Sequence, residues 1–321
     1  MRNFLYFLLF LLLVSISVCI FAWYNFISPS KLSTDTNVIL PKASGFRKTI
    51  DILAENNVII YPLFFKAIAY ISGDAQKIKA GEYNFPSNIS PQAVLQILVQ
   101  GKVVLHKITI PEGLNIREIT ALLNGDEILV GELPTLIAEG SLLPETYYFS
   151  YGDTRASMIA RMQEKMQKTI TELWEKRADG VPFSTPEQAI ILASIVEKET
   201  AIEDERPRVA AVFINRLKKG MKLQSDPTTI YGIEQAEGKK ADTALTLSDL
   251  KKPTAFNTYT IDALPPTPIA NAGKAALEAV LHPLNTDELY FVATGTGGHN
   301  FASTLTEHNK NVAKYREEIK K

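Results

Sequence analysis

The sequence predicts an α+β protein with an amino-terminal transmembrane helix, a small mixed module and a larger, mainly helical domain. Three observations indicate this. Residues 4–26 are apolar and uncharged, short strand-like and helical patterns alternate over 38–102, and longer helical patterns dominate beyond residue 140. A chain of 321 residues with 46% apolar composition has enough material for about two folded domains.

The first segment has the length and composition of a membrane-spanning helix. About 20 apolar residues cross a bilayer, and 4–26 meets that length after a short tail at 1–3. The stretch is longer than the apolar region of a cleaved signal peptide, which is the alternative, and no small-x-small cleavage site follows it. Arg2 before it, and Trp23 and Tyr24 at its end, favour a cytoplasmic tail and an extracytoplasmic remainder.

The only cysteine of the chain, Cys19, lies inside this apolar run. The chain therefore has no internal disulfide. Lipid modification of Cys19 is a second alternative, but Val18 precedes it where a lipoprotein signal has a small residue.

A polar, turn-rich stretch at 28–37 predicts a linker, and a compact α+β module is predicted over 38–102. Within the module, 38–41 and 77–86 have strand character, and apolar residues recur at helical spacing after each turn. Ser90 and Pro91 mark the start of its last helix, and Gly101 its end. The two earlier helices are expected to end near Asn56–Asn57 and Ile71.

The third part, 103–321, opens with a predicted strand at 106–110 and a helix after Asn115. Further patterns predict helices at 157–178, 185–200, 205–219 and 273–281, a final strand at 288–293 and a charged carboxy-terminal helix. A loop rich in Pro, Thr and Asn, 242–267, is expected to line a groove.

Composition and motifs exclude several classes of function. A net charge of −1 and a pI near 6.5 argue against nucleic acid as a partner. The sequence has no nucleophile elbow, no phosphate-binding glycine loop and no dinucleotide fingerprint, so we expect no cofactor. No catalytic metal is expected because the four histidines lack metal-ligand spacing: His106, His282, His299 and His308.

Two glutamates, Glu197 and Glu199, end the predicted helix at 185–200. A carboxyl group at the negative end of a helix dipole has a raised pKa, which suits a general acid. Two positions apart, they point roughly 200° from each other, so only one can face a groove. Glu199 continues an apolar line of the helix and is the predicted proton-transfer residue, with Glu197 as the alternative. Both could instead be solvated residues of a fraying last turn.

Four segments with specific polar content stand in this order: ASIVEKET (193–200), VFINRLKKGMKLQSDPTTIYG (212–232), FNTYTIDALPPTPIANAG (256–273) and YFVATGTGGHNF (290–301). Together they resemble the endolytic murein transglycosylase family, the YceG-like proteins. The resemblance covers the chain from the anchor to the last helix. Its motif match also favours the second glutamate of EKE, Glu199.

The resemblance implies a single-pass protein of the cell inner membrane whose catalytic domain faces the periplasm or cell wall. It implies a LysM-like module at 38–102 and a YceG-like catalytic domain at 103–321. The implied reaction breaks the β-1,4 bond between N-acetylmuramic acid and N-acetylglucosamine in nascent peptidoglycan and leaves a 1,6-anhydromuramic end. The implied partners are glycan strands and peptidoglycan synthases.

Short polar side chains in three segments are the candidates for binding such a sugar, because N-acetyl and hydroxyl groups need neutral donors and acceptors. Two of the segments are predicted turns, the first closed by Pro227, and either set could instead brace its own loop. His299 is a candidate for the rim of the site or for orienting the acid. The candidate substrate-binding residues are Gln224, Ser225, Asp226, Thr228, Asn257, Thr258, Tyr259 and His299.

Two rival functions remain at this point. A muramidase-type hydrolase needs a second carboxylate near the scissile bond, for which Glu203, Asp204, Asp226 and Asp262 are candidates. A non-enzymatic wall-binding scaffold would use the module at 38–102 to bind glycan. Aromatic residues that could stack on sugars there are Tyr61, Phe64, Phe65 and Tyr83, although such residues at helical spacing more often form a core.

Overall fold

A computed structural model describes residues 2–30, 32–238 and 245–320 and has the predicted mixture of helices and strands. Two compact units make up the chain. The first comprises Met1–Lys107, Ile128–Val130 and Tyr148–Asp153, and the second comprises Ile108–Glu127, Gly131–Tyr147 and Thr154–Lys321. The strands within the described ranges form three two-stranded sheets.

The first helix, α1 (Arg2–Ile27), is long and apolar enough to cross a membrane. No part of its most apolar 18-residue window is buried inside the protein. A 26-residue helix is about 39 Å long, which exceeds the ~30 Å hydrocarbon core of a bilayer. These properties fit the single-pass anchor that the sequence predicts.

Two strands and three helices follow α1 in the first unit: β1 (Thr36–Leu40), α2 (Phe46–Glu55), α3 (Pro62–Ile71), β2 (Gly81–Phe85) and α4 (Pro91–Gln100). The strands pair antiparallel, with Val38 opposite Tyr83. Both side chains are buried, as is Phe65 of α3, in one apolar core that also includes Phe26 of α1. Two of the four candidate sugar-stacking aromatics, Phe65 and Tyr83, are therefore core residues.

The last helix of this unit begins and ends as its sequence predicts. The Ser90 hydroxyl accepts the Ala93 N–H at 3.2 Å, Pro91 occupies the first turn, and Gly101 adopts a left-handed conformation with φ of 68°. The stretch predicted as a linker, 28–37, contacts the module, because Leu32 is buried in the core. Lys31 lies outside the described residues.

The second unit is mainly helical, and it is built around α7 (Pro186–Glu199). Ala193, Ile195 and Val196 of α7 are fully buried in its core. The apolar face predicted for this helix is therefore real. The strands β3 (Leu105–Thr109) and β4 (Thr146–Ser150) pair with each other. The remaining elements of the chain are α5 (Ile116–Gly125), α6 (Arg155–Glu175), α8 (Arg206–Lys218), α9 (Asp226–Glu237), α10 (Lys274–Leu281), β5 (Tyr290–Ala293), β6 (His299–Ala302) and α11 (Leu305–Glu318).

One local prediction in this unit is wrong. The segment around Pro227 is not a turn, because α9 begins at Asp226 with Pro227 in its first turn. Proline at that position favours a helix start, since its fixed φ suits the helix and its missing N–H would have no helical partner. The strand β6, which pairs with β5, was also not predicted. The beginning of the loop at 242–267 lies outside the described residues.

Candidate active site

The helix α7 ends at Glu199 because Thr200 adopts an extended backbone with φ of −144° and ψ of 131°. Its two terminal glutamates have different surroundings. The side chain of Glu197 is only 4% exposed, accepts the Gly273 N–H at 2.8 Å and pairs with Arg206 at 3.3 Å. Arg206 also pairs with Glu112 at 3.3 Å. Glu197 is thus held in an ion-pair network, although burial raises its pKa.

The contacts of Glu199 differ from those of Glu197. Glu199 accepts a short hydrogen bond from the Ser225 hydroxyl at 2.5 Å. Burial raises the pKa of Glu199 to about 7, and the negative charge of Asp226 contributes. The Ser225 hydrogen bond and the charges of His299 and Arg216 act in the opposite direction. Neither glutamate is a solvated residue of a frayed turn, and burial is the main cause of both pKa shifts.

Ser225 is held in place by its neighbours along the chain and across the site. The preceding residue, Gln224, has a left-handed φ of 54°, which turns the backbone before α9. The Ser225 N–H donates to the Thr258 hydroxyl at 2.9 Å, and the Gln224 N–H donates to the Thr258 carbonyl at 3.2 Å. Thr228 in turn bonds Thr258, with 2.8 Å between their hydroxyl oxygens. The donor to Glu199 is therefore preorganised.

Asn257 is fully buried and uses its whole amide group inside the protein. Its nitrogen donates to the carbonyls of Leu250 at 3.1 Å and Lys252 at 2.8 Å. Its oxygen accepts the Thr229 hydroxyl at 2.9 Å and the Tyr259 N–H at 3.0 Å. An amide has about four such positions, so these contacts match the bracing alternative for Asn257.

The exposed side of the site carries Gln224, Asp226 and part of Tyr259. The Tyr259 hydroxyl donates to Asp226 at 2.6 Å, and burial together with this hydrogen bond raises the pKa of Tyr259. Gln224 accepts from the Arg216 guanidinium at 3.3 Å. These groups therefore lie on the solvent-facing side of the site.

His299, at the start of β6, is oriented by Glu205. The carboxylate of Glu205 contacts the His299 ring at Nδ1, 2.7 Å away, and accepts the His299 backbone N–H at 2.9 Å. Burial raises the pKa of Glu205, but the hydrogen bonds from His299 outweigh it and the pKa is lowered overall. The charge of His299 reaches Glu199, because it lowers the pKa of that carboxyl.

Comparison with known proteins gives the family of this chain. The model of the YceG-like family matches residues 38–314. The chain belongs to the YceG-like family. A curated relative named endolytic murein transglycosylase, from Bacillus subtilis, is 32% identical, and the match covers 88% of this chain and 85% of the relative. A relative of the same name from Streptococcus pneumoniae is 28% identical over 91% of this chain, which spans 61% of that longer protein.

A solved structure of similar fold is the 2.6 Å crystal structure of a yceG-like protein from Listeria monocytogenes. It is 28% identical to this YceG-like protein, with a TM-score of 0.54, and the match covers 87% of this chain and 99% of that one. The likeness therefore extends over both units rather than over one of them.

Sequence reasoning missed two residues near Glu199 in this YceG-like protein. Arg216 is buried in α8 and donates to the carbonyls of Leu289 at 2.7 Å and Leu223 at 2.8 Å, so it ties the segments that precede β5 and α9 to α8. Glu205 orients His299. The sequence contained one signal for Arg216. It lies four residues after Val212 and three after Phe213, a spacing that puts it on the same helix face as these apolar residues. Glu205 had no comparable signal.

The described residues contain no group of three or more His, Cys, Asp or Glu side chains arranged to hold a metal ion. The chemistry that this YceG-like site can perform with its own groups is proton transfer. Glu199 has a pKa of about 7, and it therefore populates both its acid and its carboxylate form near neutral pH.

Proposed function

We propose that this YceG-like protein is a peptidoglycan lytic transglycosylase that cuts the β-1,4 bond between N-acetylmuramic acid and N-acetylglucosamine within glycan strands. The observation that carries this proposal is Glu199, a carboxyl group with a pKa of about 7 at the end of a buried helix. The names of the relatives from B. subtilis and S. pneumoniae support it. Glycan strands are the substrate, and the product carries a 1,6-anhydromuramic end.

In the proposed mechanism Glu199 is the only group that moves protons. Its protonated form donates to the glycosidic oxygen as the bond to C1 of the muramic residue breaks. The resulting carboxylate then takes the proton of the C6 hydroxyl, whose oxygen closes on C1. This returns Glu199 to its protonated form, and no water is consumed. A pKa near 7 suits a group that must act first as an acid and then as a base.

The contacts of the two glutamates support Glu199 over Glu197 for this role. Glu197 faces Arg206 and the Gly273 N–H, so each of its two oxygens already has a partner in the fold. Glu199 has one neutral donor, Ser225, which can hold the carboxyl in place during both steps. Ser225 is thus proposed to position the acid.

We assign the other candidate site residues to two roles. Gln224, Asp226, Tyr259 and His299 have exposed or half-buried side chains and are proposed to contact the sugar. Thr228, Asn257 and Thr258 are fully buried and are proposed to hold the loops that carry those contacts. The proposal thus separates residues that bind the sugar from residues that hold the loops in place.

A muramidase-type hydrolase is the second candidate, because the charge of Asp226 lies close enough to raise the pKa of Glu199. Such an enzyme uses a second carboxylate to activate water or to attack the sugar. Mass spectrometry of digested glycan strands separates the two functions. Muramic ends that are lighter by one water support the transglycosylase, whereas reducing ends in their place contradict it and support the hydrolase.

The anchor proposed here is α1, with the catalytic unit on the extracytoplasmic side of the cell inner membrane and peptidoglycan synthases as neighbours. We also propose that residues 38–102 form a LysM-like module. Single cysteines at Arg2 and Ser33, in a Cys19→Ser background, test the topology in intact cells. Labelling from outside is expected at position 33 only, and labelling at position 2 alone would contradict the topology.

The pH profile of cleavage is expected to follow the titration of Glu199. The acid form is required first, so kcat/KM should be level well below pH 7 and should fall above the pKa of about 7. The fall should approach about tenfold per pH unit, as for any single essential acid. Initial rates on defined glycan strands between pH 5 and 9 measure this. A profile that stays level to pH 9 would contradict Glu199 as the acid.

Replacing Ser225 by alanine is expected to move this descending limb to higher pH. The Ser225 hydroxyl stabilises the carboxylate form of Glu199, so its loss raises the pKa of that carboxyl further. At pH 6 the acid is already protonated in both proteins, so any rate difference there reports positioning. Ser303→Ala, at an exposed hydroxyl in the same unit, is the control. An unchanged limb would show that Ser225 does not act on Glu199.

A further inference from the structure

The helix α3 is apolar on two sides, and only one of them is covered. Phe65 and Ala69 face the core of the first unit and are buried. On the other side Leu63 is 80% exposed, Tyr70 57% and Ile71 87%. A surface of this kind is unusual on a soluble protein and indicates a partner that is apolar.

The exposed side forms one continuous stripe along the helix. Leu63, Ala67, Tyr70 and Ile71 follow the spacing of a single helical face, and each is exposed. Between Ile59 and Ser72 the only charged residue is Lys66, which is half-buried on the same side of the helix. Lysine and tyrosine side chains beside an apolar surface are typical of positions at a membrane interface.

Contacts with α1 place α3 beside the end of the proposed membrane helix. The Phe21 ring of α1 lies 5.6 Å from Tyr61 and 6.0 Å from Phe64, between ring centroids. Phe64 also completes an apolar groove along α1, which is lined further by Phe10, Leu13, Val14, Ser17, Val18 and Phe21. The amino-terminal end of α3 therefore lies against a part of α1 that the bilayer would surround.

The other end of α3 also lies beside α1. Ile68 and Ser72 share a groove with Trp23 and Phe26. Both ends of α3 are therefore next to the part of α1 that includes Phe21 and Phe26.

We propose that the exposed face of α3, defined by Leu63, Ala67, Tyr70 and Ile71, lies in the outer interface of the same bilayer that α1 spans. The occupant of this face is lipid. The argument is the continuity of the face with α1, against which both ends of α3 lie, and the absence of acidic residues over 59–72. Apolar faces of interfacial helices enter the headgroup and upper acyl region by about 5 to 10 Å. The module is thereby fixed in orientation on the membrane.

This inference rests on the membrane anchoring proposed above, and depth-dependent quenching tests the two separately. Single cysteines replace Leu63, Ile71, Val14 or Ile39 in the full-length chain with Cys19→Ser, and each carries an environment-sensitive nitrobenzoxadiazole label. The proteins are reconstituted in vesicles of phosphatidylcholine and phosphatidylglycerol, with spin-labelled lipid as quencher. Ile39 is the matched control, because it is an exposed isoleucine on the sheet face opposite the core residues Val38 and Leu40.

Labels at Leu63 and Ile71 are expected to be quenched at least about threefold more than the label at Ile39, most strongly by a shallow spin label. Quenching at Val14 with none at Leu63 and Ile71 would overturn the docking of α3 and leave the anchor intact. No quenching at Val14 would overturn the anchor itself. A blue-shifted but unquenched label at Leu63 would mean that protein covers the face, which also contradicts the proposal. Glycan cleavage by each labelled protein confirms its fold.

Discussion

Glu199→Gln is expected to lower the rate of glycan cleavage by roughly 10² to 10⁴, the usual contribution of general acid–base catalysis. Glutamine keeps the shape of the side chain and can still bond the Ser225 hydroxyl through its amide oxygen. It has no proton to donate to the glycosidic oxygen and no carboxylate to receive one from the C6 hydroxyl. The measurement is the single-turnover rate on purified strands, with anhydromuramic ends as the readout.

The same substitution at two other positions of α7 provides the controls. Glu187→Gln changes an exposed glutamate in the first turn of the helix and should leave the rate unchanged. Glu197→Gln should reduce stability, because it removes a buried charge that pairs with Arg206, while the folded protein still cleaves. An active Glu199→Gln beside an inactive but folded Glu197→Gln would reverse the assignment of the acid.

Burial also explains why neither of these two glutamates behaves as a surface residue. The expectation from sequence was a raised pKa caused by the helix dipole at the end of α7. In the structure the largest cause is burial for both Glu197 and Glu199. The apolar line through Ile195 and Val196 predicted which side of the helix faces the core, but it could not predict that loops from distant parts of the chain close over its end.

Local signals predicted those elements whose ends are marked by single residues. Ser90 with Gly101, and Asn115 with its capping box, set helix boundaries through nearby hydrogen bonds, so the sequence is sufficient there. The start of α9 was misread because Asp226 and Pro227 favour a turn and a helix start equally well. In the structure the helix start is accompanied by a contact from far along the chain, the pairing of Thr228 with Thr258, which no local pattern contains.

The same difference between local signals and long-range contacts applies to the site residues. That Gln224, Asp226 and Tyr259 belong together follows from ordered motifs, and the structure brings them together. That Glu205 orients His299 depends on two segments 94 residues apart, for which the sequence contains no pattern. Long-range polar pairs of this kind cannot be predicted from one sequence because neither partner has a distinctive neighbourhood.

The role of Asn257 can be decided by comparing stability with activity. Asn257→Ala is expected to lower the free energy of unfolding of the second unit by about 3 kcal/mol, because it leaves buried donors and acceptors without partners. Those groups include the Thr229 hydroxyl, the Tyr259 N–H and the Lys252 carbonyl. For a unit of this size the melting temperature should fall by about 6 to 12 °C. Differential scanning calorimetry measures it.

Asn309→Ala, on an exposed position of α11, is the matched control and should change the free energy of unfolding by no more than about 0.5 kcal/mol. If Asn257 braces the loop at 250–259, cleavage by the folded fraction of Asn257→Ala falls through displacement of Tyr259 and Ser225, and the loss grows with temperature. If Asn257 instead contacts the sugar directly, KM rises while the melting temperature stays unchanged. That second outcome would return Asn257 to the binding surface and would require the loop to open when glycan binds, because its amide is fully buried.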